Sequence, residues 1–448
     1  MPADTAAIVD PDTYLSGVPH ETFARLRDEA AVVWMDEPPI DHLPAGPGFW
    51  GVLRHAEVKE VMRNPAVFSS HLRATQITDP PDAGALAFVR QMMLNQDPPE
   101  HSRLRKLLTR AFTPRAIARL EDRIDGWARD LVGRVADRTE CDFATEVAAD
   151  LPLLTLAELF GVPSQDRWLM FDWSNRVIGH QDEEYAISAR ADPAGATELA
   201  KRALALRPQP DEHGRLPDQR TREGMPDLYA YAHDLGEYKR RNPGDDIMSN
   251  LMREVDDAGG KVSLGEFENL FWLFSVAGNE TLRNALPGGL YALMSNVDQY
   301  RKVRADRSLL PGAVEEMLRW WSPVMRFRRT ATVDTELGGV RVKAGDKVVV
   351  WFSSANRDER AFAAPDRFDV TRTANDHLGF GHGPHYCIGA HLAKVQMRAL
   401  FTALFDILGE VGPAGEPRRL RSNFQNGIKH LPIRWETARR PRPGPGAP

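Results

Sequence analysis

The chain has two cysteines, and the second lies in the stretch HLGFGHGPHYCIGAHLAKVQ, residues 377–396. Gly379, Gly381, Gly383 and Gly389 surround Cys387, and a helical pattern starts directly after it. An ordinary thiol has a pKa of about 8.5 and becomes a thiolate only beside a cation, a metal or a helix N-terminus. The helix beginning at IGAHLAKVQM points its unpaired N–H groups back at the sulfur. Glycines let further amides come close, because no Cβ stands in the way. Such a sulfur suits a permanently ionised metal ligand. A buried structural cysteine, or a nucleophile activated by His382 or His385, is the alternative.

Three other groupings carry polar chemistry. In EEMLRWW, Glu316 and Arg319 are three apart and share a helix face. In DPPEHSRLRKLLTRAF, His101, Arg105, Leu108 and Phe112 fall on one helical face, and Arg103, Lys106 and Arg110 on the opposite one. A basic pair on an inward face is costly unless an anion meets it. In FSVAGNETLRNALPGG, Ala277-Gly278 removes bulk in mid-helix, and Glu280-Thr281 puts a carboxylate beside a hydroxyl able to relay protons. Pro287 in the same segment is expected to kink or end that helix.

FGHGPHYCIG has the form Phe-x-x-Gly-x-His-x-Cys-x-Gly, and with it the chain resembles the cytochrome P-450 family, the haem-thiolate monooxygenases. The order of these motifs from residue 97 to 389 extends the resemblance over nearly the whole chain. It implies haem b with Cys387 as axial ligand, and O2 as co-substrate. A thiolate ligand pushes electron density to favour O–O cleavage. It implies that Phe380 packs near the sulfur, that Gly381 and Gly389 lie against the haem with Ala277 and Gly278, and that His385 pairs with a haem propionate. His101, Arg105 and Arg329 (rather than Arg328) would bind the propionates. Thr281 and Glu280 would deliver protons; the second threonine common in the family is replaced here by Leu282. Glu316, Arg319 and, from APDRFD, Arg367 would form a buried charge triad holding the cysteine loop.

The resemblance is to soluble bacterial members served by a separate ferredoxin and its NAD(P)H-dependent reductase, with no flavin or nicotinamide bound on this chain. The ferredoxin is expected at the basic face of Arg103, Lys106 and Arg110, where opposite charge would speed encounter. FRRTATVDTELGGV and LRSNFQNGIKHLPI resemble the group that hydroxylates steroids, terpenoids and branched lipids. A bulky terpenoid or steroid is the expected substrate. Alkyl or branched fatty chains, and a haem-thiolate sensor or carrier without turnover, are the alternatives. Apolar pocket walls are expected from Val276, Ala277, Val324, Met325 and Leu94.

These residues need elements to hold them. With 42% apolar and 27% charged residues over 448 positions, the composition is that of a globular protein. A net charge of -6 argues against binding nucleic acid through its phosphates. Two distant cysteines make no disulfide framework and fit a reducing cytoplasm. The start MPADTAAIVD lacks a basic, apolar leader, and no apolar run is long enough to span a bilayer. Helical spacing dominates, in HETFARLRDEA, IARLEDRIDGWARDLVGRVA, LGEFENLFWLFSVAGNETLRNAL, GAVEEMLRWW and AHLAKVQMRALFTALFDIL. Strands are expected in GFWGVLR and in TELGGVRVKAGDKVVVWFSSA, with a Gly-Gly turn. The fold class is therefore mainly α with small β-sheets. By resemblance it is the family's triangular prism, with haem between a long central helix and the cysteine loop. One domain spans 1–437, with an unordered tail at 438–448 and a mobile surface loop near 206–227 that could act as a lid.

Overall fold

In the computed structural model, residues 2–41, 43–179, 181–186, 195–212, 216–219, 221–255 and 261–436 are described, so the expected tail lies outside them. The organising element is a central helix, Leu264–Ser295. Its N-terminus carries a reciprocal cap: the Ser263 hydroxyl accepts from the Glu266 amide, and the Glu266 carboxylate accepts from the Ser263 amide. The helix is buried on almost every side, as its nearly continuous apolar sequence requires.

Pro287 neither ends this helix nor marks its boundary. The helix runs on to Ser295. Its partner explains why: helix Leu310–Trp321 packs at this point, and a Cβ on Gly288 or Gly289 would strike the Trp321 ring or the Met317 sulfur. Close packing of the two helices outweighs the one hydrogen bond lost at proline.

Helix Ala390–Ile407, which follows the cysteine, packs against Pro114–Gly133 and against Leu310–Trp321. The largest sheet has five strands in the order Val32–Met35, Phe49–Val52, Lys347–Trp351, Arg326–Ala331 and Phe68–Ser69. Strands Thr335–Leu337 and Val340–Val342 form the expected Gly-Gly hairpin. Mostly helix with small sheets is the observed class, and the main apolar core lies among the helices.

The stretch near 206–227 is only partly a loop. Helix Pro226–Arg241 begins inside it, with proline at its first turn. Met225 is fully buried, and Gln219 accepts a hydrogen bond from buried Arg176 (3.1 Å). Its later part is thus anchored rather than loose.

Candidate active site

The cysteine loop is built from backbone bonds that only a glycine-rich sequence can make. Gly381 and Gly383 have φ of +71° and +69°, and a Cβ on Gly383 would strike the Met62 carbonyl of helix His55–Arg63. The Gly381 amide donates to Leu378 (2.9 Å) and the Cys387 amide to Phe380 (3.0 Å). Asn356 accepts from the Leu378 amide (2.7 Å) and fixes the start of the loop.

Cys387 is exposed as a residue, yet its sulfur is crowded by protein atoms. Burial raises its pKa, while the amides of Gly389 and Ala390 and the charge of Arg105 work the other way. Burial wins, so the protein alone leaves a thiol. A bound cation is what this donor set lacks to hold a thiolate. Cys141, by contrast, is a core thiol pushed up to about 12, mainly by burial.

Four cationic or potentially cationic side chains converge beside the loop. The rings of His101 and His385 lie 4.1 Å apart, centroid to centroid. His101 is buried with its Nδ1 unpartnered. Its pKa is lowered to about 4, by burial first and then by Arg105, and that of His385 falls well below its usual value, by burial and then Arg329. Arg329 is buried and lowered to about 10 by burial. It donates to the Arg328 carbonyl (2.8 Å) and forms no ion pair among the described residues. Arg328 points elsewhere, to Asp79 (2.8 Å) and the Ile77 carbonyl. The nearby carboxylate, Asp97, already accepts from the hydroxyl of Ser69 and the amide of Ser70. This cluster is short of negative charge. A group carrying two carboxylates, such as haem, fits both the unpartnered Nδ1 and the unpaired guanidinium.

On the central helix, the buried run is broken at Ala277, Gly278 and Thr281. The Thr281 hydroxyl donates to the Ala277 carbonyl (2.9 Å). Gly278 has a different reason from the expected one: a Cβ there would lie 2.8 Å from Leu156 of helix Asp150–Phe160. Its missing side chain makes room for a neighbouring helix. Glu280 is also not beside Thr281 in the functional sense. It is fully buried and bonded to Arg283 (2.5 Å), Asn284 (3.1 Å) and Ser174 (3.2 Å), because successive residues on a helix diverge by about 100°.

The charge triad needs one correction. Glu316 receives Arg319 through two bonds (2.8 Å each) and Arg372 (3.1 Å), with Asn375 and the Asp369 amide completing it. The Arg367 side chain is exposed, and only its carbonyl takes part, accepting from Arg319 and Arg372. Local pattern could not separate two arginines five residues apart. Sequence reasoning also missed Glu315, which joins His377 (3.0 Å) at the loop's entry to Lys394 (2.9 Å) on the following helix.

Of the expected pocket walls, Val324 and Leu94 are half-buried and Ala277 is open. Met325 is not a wall. It is fully buried in a core cluster with Phe23 and Trp351. Val276 is likewise packed into the main core. On the basic face, Arg103 is already held by Glu100 (3.2 Å), Glu266 and the Lys261 carbonyl (2.6 Å). Lys106 and Arg110 remain, lining a surface hollow with Arg105.

A cysteine under the first amides of a helix, beside buried histidines and an arginine without an ion pair, is the donor set of a haem-thiolate protein. The cytochrome P450 family profile matches residues 232–407. The chain is 38% identical to a steroid C26-monooxygenase of Rhodococcus jostii, over 96% of this chain and 84% of that protein. It is 36% identical to a linalool 8-monooxygenase of Pseudomonas putida, over 95% and 97%. The solved cytochrome P450 CYP268A2 of Mycobacterium marinum, in complex with pseudoionone, superposes with a TM-score of 0.79 at 35% identity, covering 93% and 94%. The chain belongs to the cytochrome P450 family and is a monooxygenase. Among the described residues, no helix is long and apolar enough to cross a membrane.

Proposed function

We propose that this chain hydroxylates a bulky terpenoid or steroid in the cytoplasm, using haem b and electrons from a ferredoxin. The observation that carries the haem assignment is the pairing of the Cys387 sulfur, under the Gly389 and Ala390 amides, with a cation cluster that lacks anions. When bound, haem would supply dioxygen binding and cleavage. Cys387 would hold its iron, and Arg329, Arg105, His101 and His385 its two carboxylates. Support for the substrate class comes from the relatives: one is named for a steroid, one for linalool, and one structure contains pseudoionone.

Thr281 is the residue we assign to moving protons. Its side chain is only half-buried, and its hydroxyl's bond to the Ala277 carbonyl leaves its oxygen able to accept from water. Glu280, held by Arg283 and Asn284, sets the position of that helix against Ser174 rather than facing Thr281. Lys106 and Arg110 are the basic residues left to meet an acidic ferredoxin. No bound flavin or nicotinamide is called for when a separate donor supplies electrons.

Two variants test the reading. Cys387→Ser should lose the red-shifted absorption of the reduced, carbon-monoxide-bound protein; an unchanged band overturns the thiolate assignment. Thr281→Ala should continue to consume electrons while making less product and releasing hydrogen peroxide. If product per electron is unchanged, Thr281 does not relay protons. A sensor or carrier would show no product with either form.

A further inference from the structure

Outside the cysteine loop and its cation cluster, one histidine joins three elements. His430 ends strand Ile428–His430, which pairs with Arg418–Arg419 in a C-terminal ribbon. Its Nδ1 lies 2.6 Å from Asp142 on strand Glu140–Asp142, and its Nε2 lies 2.7 Å from Glu184 on the short helix Glu183–Ala186. Carboxylates only accept, so each contact needs an N–H on the ring, and imidazole carries two N–H groups only when protonated. The His430 side chain is 27% exposed, so protons exchange freely with solvent.

The charges around the ring balance in that state. On its own strand Lys429 bonds Asp182 and Glu184 (3.0 Å each), and on the paired strand Arg418 bonds Glu184 (2.9 Å). With His430 protonated, three cations meet the three carboxylates of Asp142, Asp182 and Glu184. The next charges out are matched among themselves: Glu146, which accepts from the Asp142 amide (2.9 Å), with Arg138, and Arg421 with Asp12 and Asp41. Burial alone would raise the Glu184 carboxyl, but its bonds from His430 and Lys429 prevail and hold it below the ordinary value. Loss of the ring proton then leaves one carboxylate facing a nitrogen lone pair. Asp142 stays, because the amides of Leu431 (2.9 Å) and Ala144 (3.1 Å) hold it. Glu184, carried on a helix of four residues, is the partner that gives way.

We propose that His430 is a pH-operated clasp. Protonated, it fastens helix Glu183–Ala186 to the C-terminal ribbon; deprotonated, it releases that helix and speeds the exchange of ligand at the haem site. Both sides of the clasp reach the central helix. The Tyr185 ring, next to Glu184, lies 4.7 Å from the Arg283 guanidinium, and a Cβ on Gly427, between the ribbon's strands, would lie 2.8 Å from Asn284. The same segment reaches an expected pocket wall, since Val324 pairs with Gln425. The control of ligand exchange rests on the haem reading; the clasp itself does not.

The test is hydrogen–deuterium exchange of the haem-bearing protein between about pH 5 and 8, corrected for the intrinsic amide rate at each pH. The amides of helix Glu183–Ala186 should exchange about five-fold faster at the alkaline end, the effect of losing one partly exposed ionic contact. Release of phenylimidazole, a probe that binds haem iron, should quicken over the same range. His430→Gln has nothing to titrate and should exchange fast at both ends. Glu184→Gln offers an amide that meets Nε2 with or without its proton, so its profile should be flat; it covers the case in which His430→Gln does not fold. A flat profile in the parent overturns the proposal, and so does a step that survives either substitution, or probe release that shows no step. A colourless protein with the exchange step intact would sink the haem reading and leave the clasp standing.

Discussion

Two charged clusters flank the cysteine loop, and they are built on opposite principles. Around Glu316, every partner is supplied from within: two arginines, an asparagine and a backbone amide surround one carboxylate, and Arg319 uses its remaining donor on the carbonyls of Asn356 and Pro365. Around His385, two imidazoles and two arginines gather with a single carboxylate already engaged elsewhere. The first cluster is closed and holds the loop. The second is open and waits for an anion. What distinguishes scaffold from binding site here is the balance of charge and hydrogen bonds, since both are buried and both are rich in arginine.

The largest effect should come from breaking the closed cluster. Glu316→Ala leaves Arg319 and Arg372 buried without their counter-charge, at a cost of about 3–5 kcal/mol. Little folded, haem-bearing protein should be recovered, and the urea midpoint of what remains should drop. Arg372→Leu and Arg367→Leu separate the two candidates for the third member. The Arg372 substitution should destabilise by about 2 kcal/mol, having lost a buried partner of Glu316. The Arg367 substitution should stay within about 0.5 kcal/mol, because its side chain is in solvent. Equal effects would remove Arg372 from the cluster.

The same comparison shows what the sequence could carry. Cys387, Glu316 and Arg319 were legible because each depends on short-range spacing: glycines around a thiol, or three residues along one helix turn. The long helices were legible from their periodicity, down to the ends of Leu310–Trp321 and Ala390–Ile407 within about two residues. Arg372 was not, because the choice between it and Arg367 is made by how the chain folds back under helix Leu310–Trp321. Met325 was misassigned, and the reason for the glycine at 278 misread, on related grounds. A small or apolar residue looks alike whether it faces a ligand or a neighbouring helix, and only the packing of Leu156 or Trp351 against it decides. Glu280 shows the limit of adjacency: next to Thr281 in sequence, it turns to Arg283 and Ser174.

The open cluster makes a prediction of opposite sign. Arg329→Gln removes a buried, unpaired charge, so the haem-free protein should lose no stability and can gain some. Haem retention should nevertheless fall by about ten-fold, as one charge-assisted contact to a carboxylate is lost. Thermal unfolding with and without haem, together with transfer of haem to a competing apoprotein, reads both. If the substitution destabilises the two forms equally, Arg329 belongs to a closed cluster and the contrast fails.

The smallest effect is the acid response of Glu315, the tie between the two sides of the loop. Burial alone would raise this carboxyl, but its bonds to His377 and Lys394 prevail and hold it at about 2, below the ordinary value of 4.5. A carboxylate whose folded pKa is depressed contributes stability that is complete above the unfolded pKa and is lost as pH falls through the folded one. The window is therefore about pH 5 down to 2. Because the side chain is about one-third exposed, solvent screening limits the effect to about 1 kcal/mol. Glu315→Gln should flatten the stability curve across that window and leave it parallel to the parent's above pH 6, measured by urea unfolding at stepped pH. A slope that persists in the variant would mean that the loop is held by the Glu316 cluster alone.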